Sequence, residues 1–306
     1  MTAADIDRNL PTGDEIFLDH VAHFVRDADA AARALTRVGF TPTPQSIQVS
    51  PDGSGRVSPT GTGNITAMFE RGYTEVLFKT ADTSLGREFD GAIARHAGVH
   101  LAAFAVADAA KAHARRAASG FAVRELARMQ RPVDSDAGPQ TAGFTIARVE
   151  PGVMPEGRIQ ILTHHTEQAV WQPHWLSHRN GATGLIDVVV AVADVEEAAE
   201  RFARFTGRPA TKSQRGVFVH LDRGGINIVN RTVVTERLPE VAIAQLPFIA
   251  GYALRVNSLA AIEAAVDDAD LEWRAIPGGI VAAFPVELGE GAWFFVEDPA
   301  ALPWRK

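Results

Sequence analysis

Residues 17–40 read FLDHVAHFVRDADAAARALTRVGF, and this stretch decides the fold. Its first eight residues are rich in β-branched and aromatic side chains, which suits a strand. Asp27 stands where a helix N-cap belongs, its carboxylate able to accept from exposed backbone N–H groups. An Ala-rich run then predicts a helix, and Gly39 is placed to stop it in the left-handed conformation. The pattern recurs at 99–121 (VHLAAFAVADAAKAHARRAASGF), with Asp108 as cap and Gly120 as stop, and at 185–207 (LIDVVVAVADVEEAAERFARFTG), with Asp194 and Gly207. A weaker copy at 250–273 (AGYALRVNSLAAIEAAVDDADLEW) has Ser258 as its cap. Further strand candidates follow each copy: 41–48, 64–69 and 73–78; 122–126, 143–149 and 158–162; 217–221 and 226–229; 272–275, 279–284 and 292–296. The chain therefore reads as one βαβββ unit written four times, an α+β architecture.

The connections 50–63 (SPDGSGRVSPTGTG) and 128–141 are rich in Gly, Pro, Ser or Asp and are expected to be long loops. The first is expected to cover a substrate. This organisation divides the chain into a flexible N-terminus (1–15), a first pair of modules (16–165), a linker (166–182) and a second pair (183–306). The linker holds His164, His165, His174 and His178 on or near it, the densest histidine cluster in the chain, in a spacing that fits no closed tetrahedral metal motif.

Composition narrows the function. Hydrophobic residues make up 46% of the 306 and charged residues 22%, as in a globular protein with a packed core. The formal charge is −7, and no basic run or basic-aromatic stripe is present, which argues against a nucleic-acid or anionic-membrane partner. With no cysteine, disulfides and thiolate chemistry are excluded, and a metal would need His, Asp, Glu or neutral oxygen ligands. The first fifteen residues carry no basic segment followed by an apolar one, so a cytoplasmic location is expected. No phosphate-binding loop and no G-x-S-x-G elbow occurs.

Four βαβββ units, the first opening on DHVAHFVRD, resemble the vicinal oxygen chelate superfamily of glyoxalases, bleomycin-resistance proteins and ring-cleaving dioxygenases. The stretch from GTGNITAMFERGYTEVLF to HRNGATGL is similar to its glyoxalase-like domain group. The resemblance implies that modules pair into two cup-shaped mixed sheets, with inward residues on the first and last strand of each module. In metal-dependent members such residues hold one divalent ion that chelates two neighbouring substrate oxygens. Carried onto this chain, the ligand positions are His20 in DHV, Glu75 in GYTEVLF, Gln160 in GRIQIL and His100. Glu75 would also serve as the base. His164 and Arg71 are expected at the pocket rim. Aligning the modules on their caps, however, places Leu101 at the position of His20, and only a β-bulge would bring His100 back to it.

Two functions follow from the resemblance. One is an enzyme using a divalent ion (Zn, Ni, Mn or Fe(II)) on a small substrate with vicinal oxygens, of lyase, isomerase or dioxygenase type. The other is a metal-free small-molecule binder of the bleomycin-resistance type. The need of Glu75 for a partner within an apolar strand favours the first. In the second pair, Asp187, Asn227 and Phe294 occupy the equivalent positions, and Phe294 cannot ligate a metal. Four modules can complete two cups within one chain, so a homodimer is compatible with the sequence but not required.

Overall fold

The computed structural model describes residues 7–52, 54–135, 138–213, 215–243 and 245–305. The first module comprises β1 (Ile16–Phe24), α1 (Ala28–Arg37), β2 (Ser46–Pro51), β3 (Val57–Met68) and β4 (Tyr73–Lys79). A connecting helix, α2 (Ser84–Arg95), leads to β5 (Gly98–Val106), α3 (Ala109–Ala118), β6 (Ala127–Val133), β7 (Gln140–Arg148) and β8 (Arg158–His164). The linker contains α4 (Glu167–Val170). The third module follows as β9 (Ala182–Val192), α5 (Val195–Thr206), β10 (Ala210–Ser213), β11 (Gly216–His220) and β12 (Gly225–Asn230). After α6 (Arg231–Arg237), the fourth is β13 (Phe248–Val256), α7 (Leu259–Asp268), β14 (Trp273–Ile276), β15 (Gly279–Ala283) and β16 (Ala292–Val296).

The four-fold repeat is local physics before it is topology. Asp27, Asp108, Asp194 and Ser258 each accept from a backbone N–H of the first helical turn, contacts typically worth about 1 kcal/mol apiece. Gly39, Gly120 and Gly207 end their helices at φ of 82°, 83° and 69°. In the fourth copy Asp270 takes this left-handed position at φ 52°, one of the few side chains that tolerate it.

In each module the first strand runs parallel to the last. The first two modules join in the order β1-β4-β3-β2-β6-β7-β8-β5, and β5 pairs back onto β1 in antiparallel fashion. They thus close into an eight-stranded barrel. The second pair joins through β9 and β13, but β10 and β14 have no pairing with each other among the described residues, so this cup stays open. One antiparallel pairing, Ile249 with Val99, joins the two halves in a single sheet. Helices α1, α3, α5 and α7 pack on the outside over one large apolar cluster that includes Leu35, Phe104, Phe202, Phe205 and Ile262. Among the described residues no helix is long and apolar enough to cross a membrane.

Three expectations are corrected. Strands β2, β3, β6 and β7 run through most of 50–63 and 128–141, so neither stretch is a loop over a substrate. The outer half of β3 is exposed and lacks apolar alternation, which is why its sequence reads as a turn. Backbone pairing of Val49 with Gln130 and hydrogen bonds from Ser46 to the Pro132 carbonyl (2.8 Å) and from Ser50 to that of Arg128 (2.7 Å) stitch β2 to β6 and close the barrel. Residues 53, 136 and 137 of these stretches lie outside the described residues. Residues 7–15, read as flexible, are tied down. Arg8 pairs with Glu15, Arg223 donates to the Arg8 carbonyl, Lys111 pairs with Asp14 and Arg208 donates to the Asp14 carbonyl.

Candidate functional site

The inward residues are selected by a β-bulge in each first strand. Pairing passes from Leu18–Phe104 to His20–Ala103 and from Ala22–Leu101 to His23–Val99, leaving Asp19 and His100 as the extra residues. Ile186 in β9 and Ala250 in β13 are skipped in the same way. The residue after each bulge is His20, Leu101, Asp187 or Gly251, in constant register with its helix cap. Two residues further along, Ala22, Ala103, Val189 and Ala253 pair with Glu75, Gln160, Asn227 and Phe294 on the last strands. Expected register and structure agree for His20, Glu75 and Gln160.

His100 is the correction. A bulge does occur in β5, but His100 is itself the bulged residue, and Leu101 takes the inward position. The His100 side chain lies outside the barrel cavity, 1% exposed. Its Nε2 meets the His96 carbonyl at 2.8 Å and its ring lies tilted against that of His96, with centroids 4.0 Å apart. Burial pushes its pKa down to about 3.

Within the barrel lies a cavity lined from both modules. On its polar side, Asp19 is 0% exposed and bridges two imidazoles, His20 Nδ1 at 2.7 Å from Oδ2 and His164 Nε2 at 2.9 Å from Oδ1. The bulge lets the adjacent Asp19 and His20 side chains meet. Burial alone would raise the Asp19 carboxyl, but the charge and hydrogen bond of His164 and the bond from His20 hold it well below the ordinary carboxylate range. An ionised carboxylate can only accept, so both rings donate to it. His20 stacks on Tyr73, with centroids 4.4 Å apart, and turns Nε2 toward Glu75 Oε2 at 3.8 Å. Glu75 Oε1 accepts from Asn64 (2.5 Å) and Gln48 (3.3 Å). Burial and the carboxylates of Asp19 and Glu75 push the Tyr73 hydroxyl well up, so it stays protonated.

The remaining wall carries three guanidiniums, Arg131, Arg148 and Arg158, with apolar side chains from Leu77, Leu101, Met129, Phe144, Ile146 and Leu162. Arg148 donates to Gln160 Oε1 at 2.9 Å and to the Met129 sulfur at 3.2 Å. Burial draws the pKa of all three below the usual arginine value, yet all remain cations at neutral pH.

These residues do not fit a divalent ion. Among the described residues no three His, Asp or Glu side chains gather as a metal site. His20 and Glu75 face each other, but Leu101 fills the fourth position and Gln160 already gives its oxygen to Arg148. Three guanidiniums would repel a dication; even one pair of unit charges 4 Å apart is worth roughly 4 kcal/mol at an effective dielectric of 20. Nor does Glu75 lack partners, since Asn64, Gln48 and His20 attend it.

His164 and Arg71 are not at the rim. His164 is buried against Asp19 and does not line the cavity; its ring contacts those of Phe144 and Trp171. Arg71 pairs with Asp7 and lines a cleft between the two halves. The linker histidines do structural work: His178 accepts from the Thr41 N–H (3.0 Å) and donates to the Met68 carbonyl (2.7 Å), while His165 meets the Thr145 hydroxyl (2.8 Å). In the open cup, Asp187 is gripped by Arg305 (2.7 and 2.6 Å) and Trp304 (2.8 Å) amid an apolar cluster that includes Phe294.

A model of a family described as "Glyoxalase-like domain" matches residues 18–206, well over half of the chain. The chain belongs to the glyoxalase-like domain family. It is a member of the vicinal oxygen chelate superfamily, and the matched region spans the whole closed barrel. Similar solved structures include a hypothetical protein from Staphylococcus aureus (9% identity, TM-score 0.62, covering 92% of this chain and 98% of that one). A triple mutant of 4-hydroxymandelate synthase from Streptomyces coelicolor gives 15% identity and TM-score 0.58, covering 92% of each chain. The Mn(II)-bound glyoxalase from Novosphingobium aromaticivorans gives 13% and 0.54, covering 92% of this chain and 82% of that one. At these identities the likeness is one of fold. No curated protein matches the sequence.

Sequence reading missed Asp19, Asn64, Gln48 and the three arginines of this glyoxalase-like barrel. A signal existed for two of them. Arg158 precedes Gln160 by two and Arg148 follows Ile146 by two, so strand alternation puts each on the inward face. Asp19 gave none, because alternation places it opposite His20 until the bulge is known.

Proposed function

We propose that the closed barrel is a metal-independent proton-transfer site acting next to a carbonyl of a small oxygenated compound. The observation that carries this reading is the His20 Nε2–Glu75 Oε2 gap of 3.8 Å. An atom set to the side of the line joining them lies within hydrogen-bond reach of both, the geometry a general acid–base pair needs. With Nδ1–H given to Asp19, His20 turns its Nε2 to that gap. His20 or Glu75 takes the proton from carbon, the C–H electron pair moves into the carbonyl oxygen, and the guanidiniums face the resulting oxyanion. The proton then returns to the same or the neighbouring carbon, so no oxidant or reductant is needed. Chelator-treated protein in D₂O with pyruvate and the dianion 2-oxoglutarate, followed by proton NMR, should exchange the protons next to the carbonyl, and His20→Asn should abolish the exchange. Exchange with neither compound, or undiminished exchange in His20→Asn, overturns the reading.

The six apolar side chains on the other wall favour a second reading, a binder that holds its ligand without chemistry. There, a ligand binds wild type and His20→Asn alike and is recovered unchanged.

A further inference from the structure

We infer that the ligand of the closed barrel is a small organic acid carrying two negative charges, clamped by Arg131, Arg148 and Arg158. The inference names the substrate class for the proton-transfer reading and rests on that site, but on its opposite wall. Three guanidiniums line the cavity against one carboxylate, Glu75. Asp19 is compensated by His20 and His164. Among the described residues, neither Arg131 nor Arg158 has a side-chain hydrogen bond or ion pair, and Arg148 has only an amide oxygen and a thioether sulfur. Arg131 is 6% exposed. A buried cation with no acidic group bonded to it, as Arg131 is, is costly, and a bound anion is the counterion that removes the cost. The wall holds an excess of two positive charges, which selects a dianion over a monoanion. The guanidinium fork suits carboxylate and phosphate oxygens alike.

A neighbouring cleft carries the same sign. Arg148 and Arg158 also line an outer cleft beneath α2 and residues 150–157, together with Arg95 and Arg124, against Glu88 and Glu150. Glu88 and Glu150 are both engaged by Arg124, at 2.6 and 3.3 Å. In a chain of net charge −7, cations thus outnumber carboxylates in both spaces, which share Arg148 and Arg158. Opposing charge in spaces of this kind concentrates an anionic ligand and orients it.

The test is calorimetric titration, in chelator at low salt, with malonate, acetate, inorganic phosphate and the neutral isostere malonamide. Malonate should bind at least tenfold more tightly than acetate, with malonamide silent. Phosphate binding separates a phosphate-bearing from a dicarboxylate ligand and supports the dianion in either case. Arg131→Met and Arg148→Met should each weaken malonate at least tenfold without lowering the melting temperature of the free protein, because each removes an uncompensated cation. Arg148→Lys, which keeps the charge, guards against misfolding and should lose less. Binding of malonamide equal to malonate, absence of binding by every anion, or full affinity in both Met variants overturns the inference. His20→Asn should retain malonate affinity, so loss of deuterium exchange there with binding intact leaves this inference standing. Exchange without anion binding sinks it alone.

Discussion

Replacing Asp19 by Asn keeps the shape of the side chain and removes its charge at the point where both histidines converge. The wild-type carboxylate accepts two charge-assisted bonds, at 2.7 and 2.9 Å, in full burial. The amide can accept from one ring through its oxygen but must donate to the other through its NH₂. One imidazole therefore has to move its proton to the far nitrogen. His164, whose charge helps to hold Asp19 ionised, can only donate and so keeps the amide oxygen. For His20 the far nitrogen is Nε2, which faces the Glu75 carboxylate. His20 is thus the ring that switches, and its Nε2 becomes a donor unable to take a proton. Hydrogen bonds to charged groups are worth roughly 1.5–3 kcal/mol each, and one of the two is traded for a neutral bond while the other is reversed. The expected loss is about 3 kcal/mol of stability, read by urea unfolding at pH 7.5. Deuterium exchange should fall by roughly 10²- to 10⁴-fold, the usual weight of a general base. A stability change under about 1 kcal/mol, or undiminished exchange, would refute the ionised bridge.

Other consequences follow from the same geometry. Glu156, 0% exposed, takes both guanidinium nitrogens of Arg201 at 2.8 Å and so joins the turn before β8 to α5; Glu156→Gln should cost roughly 3–5 kcal/mol in urea unfolding, the usual loss on breaking a buried pair. His23 is fully buried between the Leu288 carbonyl and the Tyr252 hydroxyl, and burial holds its pKa at about 4 against an ordinary 6.5. The unfolded chain then takes up a proton that the folded state refuses. Stability is complete above pH 6.5 and should decline by on the order of 3 kcal/mol as pH falls toward 4, with His100 steepening the loss; a flat urea midpoint between pH 7 and 5 contradicts this.

The repeat was legible because caps and stops are local. Asp27, Asp108, Asp194 and Ser258 act within three residues of themselves, and strand alternation carried His20, Glu75 and Gln160 into the same barrel. What stayed hidden depends on pairing between distant strands. The bulge at His100 exists only where β5 meets β1, and it hands the inward position to Leu101. The closure of β2 onto β6 rests on Ser46 and Ser50 reaching carbonyls more than seventy residues away, which no window of sequence displays. The arginines share one module, but Arg131 lies in the stretch that reads as a loop, and the amides that satisfy Glu75 come from β2 and β3. The metal expectation therefore rested on a need that Asn64 and Gln48 already meet.

A crystal grown with millimolar malonate and Mn(II) together sets the two ligands in competition at one site. Anomalous scattering would locate the ion, and ordinary density the acid. The account predicts malonate against Arg131, Arg148 and Arg158 with no anomalous peak between His20 and Glu75. A manganese peak bonded to both side chains, with the guanidiniums turned away, would contradict it.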